Sequence, residues 1–256
     1  MDGNADIPGE YFWGPQPMRE PTFHTRRPSG PLGLATLVAG LFALAGCDVR
    51  TPQSPRVVQG ALDLSDLGSG PEDWTARQVD RGRIPALDTL RSGDSLLLTV
   101  HARGGEASRW RRKIRWPADE YPVLTWAWFP SHRVDSIRFS RRAAPAAVMA
   151  VDVTLASAFG FHRTVRYVWS ARRDRGHEYL GDGWHPKVVV LRDIRDSLLL
   201  TPEKVDVWAD FARLWGFQPR HQALSIAIAV HDPDPDRRLT GRFGAIIAHP
   251  GKEPPP

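Results

Sequence analysis

Short apolar runs alternate with turns rich in glycine, proline and aspartate from Ala61 onward. Within these runs, apolar residues recur at every second position, which is typical of strands that turn one face to a core. Trp110, Ile114 and Trp116 follow this pattern. It predicts an all-β sandwich of about eight strands over residues 61–248. The expected strands are Ser95 to His101, Ala107 to Trp116, Tyr121 to Phe129, Ala147 to Leu155, Thr164 to Ser170, Lys187 to Arg192, Leu224 to Val230 and Arg242 to Ala248.

The strand Tyr121 to Phe129 is apolar on both faces and is therefore expected at the centre of a sheet. Large aromatic side chains on the apolar face of a strand usually pack in a core. We therefore predict that Trp126, Trp128 and Trp169 are buried.

One segment follows helical spacing instead. Its apolar residues recur at intervals of three and four positions: Val205, Trp208, Ala212 and Trp215. The spacing predicts one helix over about residues 203–216. Thr201 and Pro202 are suited to its first turn, and Gly216 is suited to its end.

The first 46 residues are predicted to be a secretory signal sequence. An uncharged run from Pro28 to Gly46 follows Arg26 and Arg27. Its apolar part is about 14 residues long, whereas about 20 are needed to span a membrane. Translation from Met18 would give a more typical signal, because the acidic residues of the leader are then absent.

The end of this run, Leu44-Ala45-Gly46-Cys47, resembles a bacterial lipobox. The resemblance implies cleavage before Cys47, with Leu44, Ala45 and Gly46 as recognition positions, and diacylation of Cys47. The alternative is an ordinary buried cysteine. A lipoprotein would consist of a lipidated tether over 47–60, the sandwich over 61–248 and a disordered proline-rich tail over 249–256. It would be anchored in the bacterial cell envelope, facing the periplasm or the cell exterior.

Charge and strand pattern together define a basic surface. The formal net charge is only +5, which favours contact with an anionic surface over a nucleic-acid role. Opposite the tryptophans of the strand Ala107 to Trp116 lie four basic residues: Arg109, Arg111, Lys113 and Arg115. This face either is solvated or contacts an anionic envelope component, because the tryptophans are better explained as core than as a nucleic-acid platform.

Two loops carry candidate ligand-binding residues. Trp184 and His185 lie in a glycine-rich loop, and Asp232, Asp234 and Asp236 alternate with prolines in another. The three aspartates are a weak calcium candidate, because an EF-hand pattern is absent and a solvated turn explains them better. Binding residues gather on loops, so Trp184, His185, Asp232 and Asp234 are predicted to form one site if both loops lie at the same end.

Several stretches, in order, resemble bacterial domain-of-unknown-function family 3047. They are Tyr121 to Trp128, Tyr167 to Trp169, Val188 to Arg192, Asp210-Phe211 with Trp215-Gly216, and the loop from Asp232. The resemblance implies a jelly-roll-like antiparallel sandwich similar to carbohydrate-binding modules, with no assigned activity.

The sequence assigns no catalytic residue, because the nucleophile elbow, zincin and phosphate-loop motifs are missing. No cofactor other than calcium is suggested. The leading interpretation is therefore a non-catalytic module that binds a glycan or polysaccharide. The alternatives are a polysaccharide-active hydrolase or lyase, and a structural lipoprotein that docks another envelope protein.

The anchor can be tested at Cys47. Buried acyl chains contribute about 0.8 kcal/mol per methylene, so two chains hold a protein on a membrane almost permanently. We expect mass spectrometry to find a diacylated Cys47 at the mature N-terminus, and Cys47→Ser to change the membrane fractionation of the protein. A wild-type protein without lipid would contradict the prediction.

Overall fold

A computed structural model describes residues 53–69, 71–78, 86–93, 95–103, 107–131, 147–157, 159–180, 186–193, 195–196, 200–232 and 238–251. These contain fifteen strands, one α-helix and two short 3-10 helices. The predicted signal sequence 1–46 and Cys47 lie outside the described residues.

The strands have the following bounds: β1 Arg56–Val58, β2 Ala61–Asp63, β3 Trp74–Gln78, β4 Leu87–Ser92, β5 Ser95–Arg103, β6 Ala107–Pro117, β7 Val123–Pro130, β8 Ala147–Ser157, β9 His162–Ser170, β10 Glu178–Leu180, β11 Lys187–Arg192, β12 Thr201–Asp206, β13 Pro219–His231, β14 Arg238–Phe243 and β15 Ile247–His249. The helix α1 is Val207–Trp215, and the 3-10 helices are Leu67–Ser69 and Pro71–Asp73.

The strands form two sheets. An eight-stranded sheet has the order β1-β2-β15-β7-β14-β5-β4, with β12 also paired to β7, and a seven-stranded sheet has the order β10-β11-β9-β8-β13-β6-β3. Named strand pairs are antiparallel except β9 with β11. The predicted all-β sandwich with one late helix is thus confirmed. The predicted number of strands is too low: it omits three-residue strands, which are too short to show an alternating pattern, and also β3, β4 and β12.

Aromatic side chains join the two sheets. Trp128 of β7 contacts Trp169 of β9 across the sandwich, with ring centroids 6.2 Å apart. Trp126 packs edge to face on Trp128 at 5.7 Å and also touches Tyr167. All four side chains are at most 2% exposed. The three tryptophans are therefore core residues, as their position on the apolar faces predicts.

The helix begins four residues later than the predicted start at 203. Residues 201–206 form β12 instead, paired with β7, and this strand buries Glu203 and Val205 at a period of two. Asp206 is the N-cap, because its side chain accepts a hydrogen bond from the Ala209 amide. The predicted end is correct, as Gly216 closes the helix with a φ of 76°.

Regular structure begins before Ala61, the predicted start of the sandwich. The strand β1 lies within the predicted tether and pairs with β2. Gln53 adds an isolated bridge to Ile114 of β6. At the other end, β15 includes His249. Among the described residues, no helix is long and apolar enough to cross a membrane.

The aromatic core gives a stability prediction. Trp126→Ala removes a fully packed indole and should lower the free energy of unfolding by about 3–5 kcal/mol. Leu90→Ala, at an exposed position of β4, should change it by less than about 0.5 kcal/mol. Denaturant titration measures both, and equal stability of the two variants would show that Trp126 is not a core residue.

Candidate functional site

The outward face of the seven-stranded sheet carries a carboxylate that is shielded from water. Asp152 of β8 lies between Val151 and Val153, which belong to the core cluster. Because side chains alternate along a strand, the side chain of Asp152 points away from the core. It is nevertheless only 1% exposed. A buried carboxylate requires charged or hydrogen-bonding partners.

Two arginines supply those partners. Arg166 of β9 lies directly opposite Asp152 and donates to both carboxylate oxygens, with Nε 2.7 Å from Oδ1 and Nη2 2.9 Å from Oδ2. Arg109 of β6 places Nη2 2.6 Å from Oδ2. The side chain of Arg109 must reach over β13, which lies between β6 and β8. At the two positions it passes, β13 carries only Ala227 and Ala229. Small side chains on β13 therefore allow the double contact.

The arginines fix the charge of Asp152. Burial raises the pKa of the Asp152 carboxyl, but attraction and hydrogen bonds from Arg166 and Arg109 outweigh burial and hold this pKa below 3.8. The carboxylate is therefore ionised at neutral pH, and both its oxygens accept from guanidinium groups. Such a group is poorly suited to donate or accept a proton in catalysis.

Strand register extends this polar surface across the sheet. The row through Asp152 contains Thr75, Arg111, Ala227, Asp152, Arg166, Val188 and Tyr179. The next row contains Lys113, Ser225, Thr154 and Thr164. Arg111 Nε donates to Ser225 Oγ at 3.1 Å. We call the surface formed by Arg109, Arg111, Lys113, Asp152, Arg166 and Ser225 the arginine face.

The four basic residues singled out in the sequence lie on the outward side of β6. Arg109 and Arg111 are half-buried, whereas Lys113 and Arg115 are exposed. The pattern within β6 did not identify Asp152 and Arg166 as their partners. Period-two alternation places both residues outward, but only the pairing of β8 with β9 and β13 brings them to the same point.

Most of the loop residues singled out in the sequence lie outside the described residues, so the site predicted there stays a prediction. They are Trp184, His185, Asp234 and Asp236, whereas Asp232 is buried just beyond β13. The segment that holds Trp184 connects Leu180 of β10 to Lys187 of β11. Lys187 is paired with Val165 of β9. Asp232 instead follows His231, near Met149. These bordering strand ends lie about 20 Å apart along the sheet at 3.3 Å per residue.

A second buried carboxylate belongs to the core. Glu203 of β12 accepts hydrogen bonds from Trp128 Nε1, at 3.0 Å, and from Arg192 Nε. It lies between the sheets, whereas Asp152 lies on the outward face. The two carboxylates therefore do not flank a common substrate position, as a glycosidase pair would.

The outward side of the eight-stranded sheet has a groove of about 850 Å³. Its lining includes Thr125, Lys204, Asp206 and His249. Thr125 Oγ1 lies 2.8 Å from His249 Nε2, and Asp206 is occupied as the helix cap. This groove has fewer fixed charges than the arginine face. In the described part of the chain, no group of three His, Cys, Asp or Glu side chains is arranged to hold a metal ion.

Fold and site together define a β-sandwich with an arginine-rich sheet face. No family model matches the chain and no curated protein matches it, so the resemblance to family 3047 stays a prediction.

Solved structures with a similar fold include a xyloglucanase domain of an effector from Sinorhizobium fredii. The two are 10% identical, the match covers 69% of this chain and 94% of the xyloglucanase domain, and the TM-score is 0.39. Endoglucanase 3 of Trichoderma harzianum has 10% identity, 74% and 95% coverage and a TM-score of 0.40. A family 11 carbohydrate-binding module of Clostridium thermocellum has 11% identity, 76% and 97% coverage and a TM-score of 0.34. Likenesses this distant do not establish an activity.

The charge cluster gives a pH prediction. The pKa of Asp152 is lower in the folded state than in the unfolded state, so its stabilising effect is complete above about pH 5 and is lost as the pH falls through the folded-state pKa. Asp152→Asn should lower the free energy of unfolding at pH 7 by about 3 kcal/mol, because two partly buried arginines lose their counter-charge.

The difference between wild type and Asp152→Asn should shrink below about pH 4. Denaturant titrations at several pH values measure it. Glu120→Gln, at an exposed carboxylate, serves as the control. A difference that does not change between pH 7 and pH 2 would mean that the charge of Asp152 is not what stabilises the fold.

Proposed function

We propose that this protein is a lipoprotein of the bacterial cell envelope, anchored through Cys47, whose sandwich binds an anionic polysaccharide without cleaving it. The observation that carries the binding proposal is the double contact of Asp152 with Arg166 and Arg109. It holds two guanidinium groups in fixed orientations on an outward sheet face.

The charges of this face favour an anionic ligand. Arg109, Arg111, Arg166 and Lys113 bring four positive charges, and Asp152 brings one negative charge. Guanidinium groups bind carboxylates bidentately, and the side chains of Arg109 and Arg166 keep 31% and 27% of their surface exposed. The partly exposed hydroxyl groups of Thr154 and Thr164, in the next row of the sheet, can exchange hydrogen bonds with sugar hydroxyls. A polysaccharide that carries carboxylates, such as a polyuronate, matches this combination.

The same cluster favours binding over catalysis. A glycosidase needs one carboxylic acid that keeps its proton and a second carboxylate on the other side of the bond. Asp152 is ionised, and the side chains that contact it are arginines. A lyase needs a base, and the lowered pKa makes Asp152 a weak one.

Binding can be tested with polygalacturonate and with its methyl-esterified form, which has the same backbone without the charges. We expect the wild-type protein to bind the charged polymer more tightly, with an affinity that falls as salt is added. Arg111→Ala combined with Lys113→Ala should weaken binding about tenfold, which corresponds to about 1.4 kcal/mol. Isothermal calorimetry at two salt concentrations measures both effects.

Arg91→Ala is the matched control, because Arg91 is an exposed arginine on β4 of the other sheet. It should leave affinity unchanged, and all variants should keep the wild-type melting temperature. Equal affinity for the esterified polymer, or for a single-stranded oligonucleotide, would contradict selective recognition of an anionic glycan. Release of shortened or unsaturated sugars would instead support an enzyme.

A further inference from the structure

One end of the sandwich exposes aromatic rings. The connection between β8 and β9 turns at Gly160, whose φ is 82°, and the Gly160 amide donates to the Ser157 carbonyl at 2.9 Å. Phe159 and Phe161 flank this glycine and are 74% and 61% exposed. Phe217 packs edge to face on Phe159, with ring centroids 6.0 Å apart. Together with Trp215, these three phenylalanines form what we call the aromatic end.

Cationic side chains lie against the same rings. The Arg163 guanidinium lies 5.0 Å from the ring centre of Trp215 and 5.7 Å from that of Phe161. Lys187 Nζ lies 4.9 Å from the ring centre of Trp215. Exposed rings bordered by lysine and arginine are typical of protein surfaces that enter the interface of an anionic bilayer.

The start of the described chain lies closer to this end than to the opposite one. Gln53 pairs with Ile114 of β6, and β6 continues from there toward the end where Pro219 pairs with Ser157. At 3.3 Å per residue, the aromatic end is about 15 Å from Gln53 along the strands, and the opposite end of β6 at Ala107 is about 23 Å away.

The length of the tether distinguishes between these ends. Six residues lead from Cys47 to Gln53 and span at most about 22 Å when fully extended. A membrane that holds Cys47 is therefore within reach of the aromatic end. A membrane at the opposite end would require a tether stretched to its full length.

We propose that the aromatic end inserts into the interface of the bilayer that holds Cys47, with Arg163 and Lys187 at its anionic headgroups. This inference rests on the lipid anchor of the proposed function. Insertion removes the rings of Phe159 and Phe161 from water. It also orients the strands roughly perpendicular to the membrane plane, so that the arginine face stays in the aqueous phase.

Spin labels on the full chain, processed by the bacterial cell, can test this orientation. Lipidation consumes the thiol of Cys47, so a nitroxide attaches only at a new cysteine. We would label Phe161→Cys at the aromatic end, Lys113→Cys on the arginine face and Arg238→Cys at the opposite end. The proteins are reconstituted in vesicles of phosphatidylethanolamine and phosphatidylglycerol, and power saturation compares access of oxygen and of a water-soluble nickel complex.

We expect the Phe161→Cys label to be accessible to oxygen and at least about threefold less accessible to nickel than the other two labels, because apolar oxygen enters the bilayer and the charged complex does not. Equal nickel access at all three positions, on protein whose mass shows a diacylated N-terminus, overturns the inference and leaves the anchor intact. A protected Lys113→Cys label overturns it too, since the arginine face would then lie on the membrane. A protein without lipid, labelled also at Cys47, contradicts the anchor itself.

Discussion

The packing of Trp126, Trp128 and Trp169 between the two sheets is the interaction on which the other features depend. Large indole rings fill the space between β7 and β9 and fix the distance between the sheets. Because strand side chains alternate, each strand that sends apolar residues into this core sends its other residues outward. The outward faces therefore take most of the charged residues of these strands, and the inward Glu203 is buried with hydrogen-bonding partners.

That constraint explains why a carboxylate is buried on an outward face. Asp152 sits in the middle of the seven-stranded sheet, far from either edge, so long side chains from neighbouring strands cover it. Alanines on β13 leave space over the sheet, and Arg109 uses that space to reach Asp152 from β6. A larger side chain at Ala227 or Ala229 would separate the two, so two small residues without polar groups contribute directly to the geometry of the charged cluster.

Much of the fold could be predicted from alternation, and much of the site could not. The core tryptophans and the basic residues of β6 follow from period-two spacing within a single strand. The cluster of Asp152, Arg109 and Arg166 depends on which strands are neighbours, and spacing within one strand does not contain that information. Glu203 was missed for a related reason: helical spacing of Val205 and Trp208 concealed the fact that 201–206 continues as a strand until Asp206 caps the helix.

The arginine face and the aromatic end also constrain each other. An anionic bilayer attracts both a basic sheet face and a basic aromatic loop, so electrostatics alone does not choose between them. Two other properties of the chain distinguish between the two surfaces. Exposed phenylalanine rings gain free energy on leaving water, whereas the residues of the arginine face are charged or polar and lose hydration on entering a bilayer. The short tether favours the aromatic end, which it reaches without full extension. Contact through the aromatic end is thus compatible with a ligand on the arginine face, while contact through the arginine face would occupy the surface that we propose binds polysaccharide.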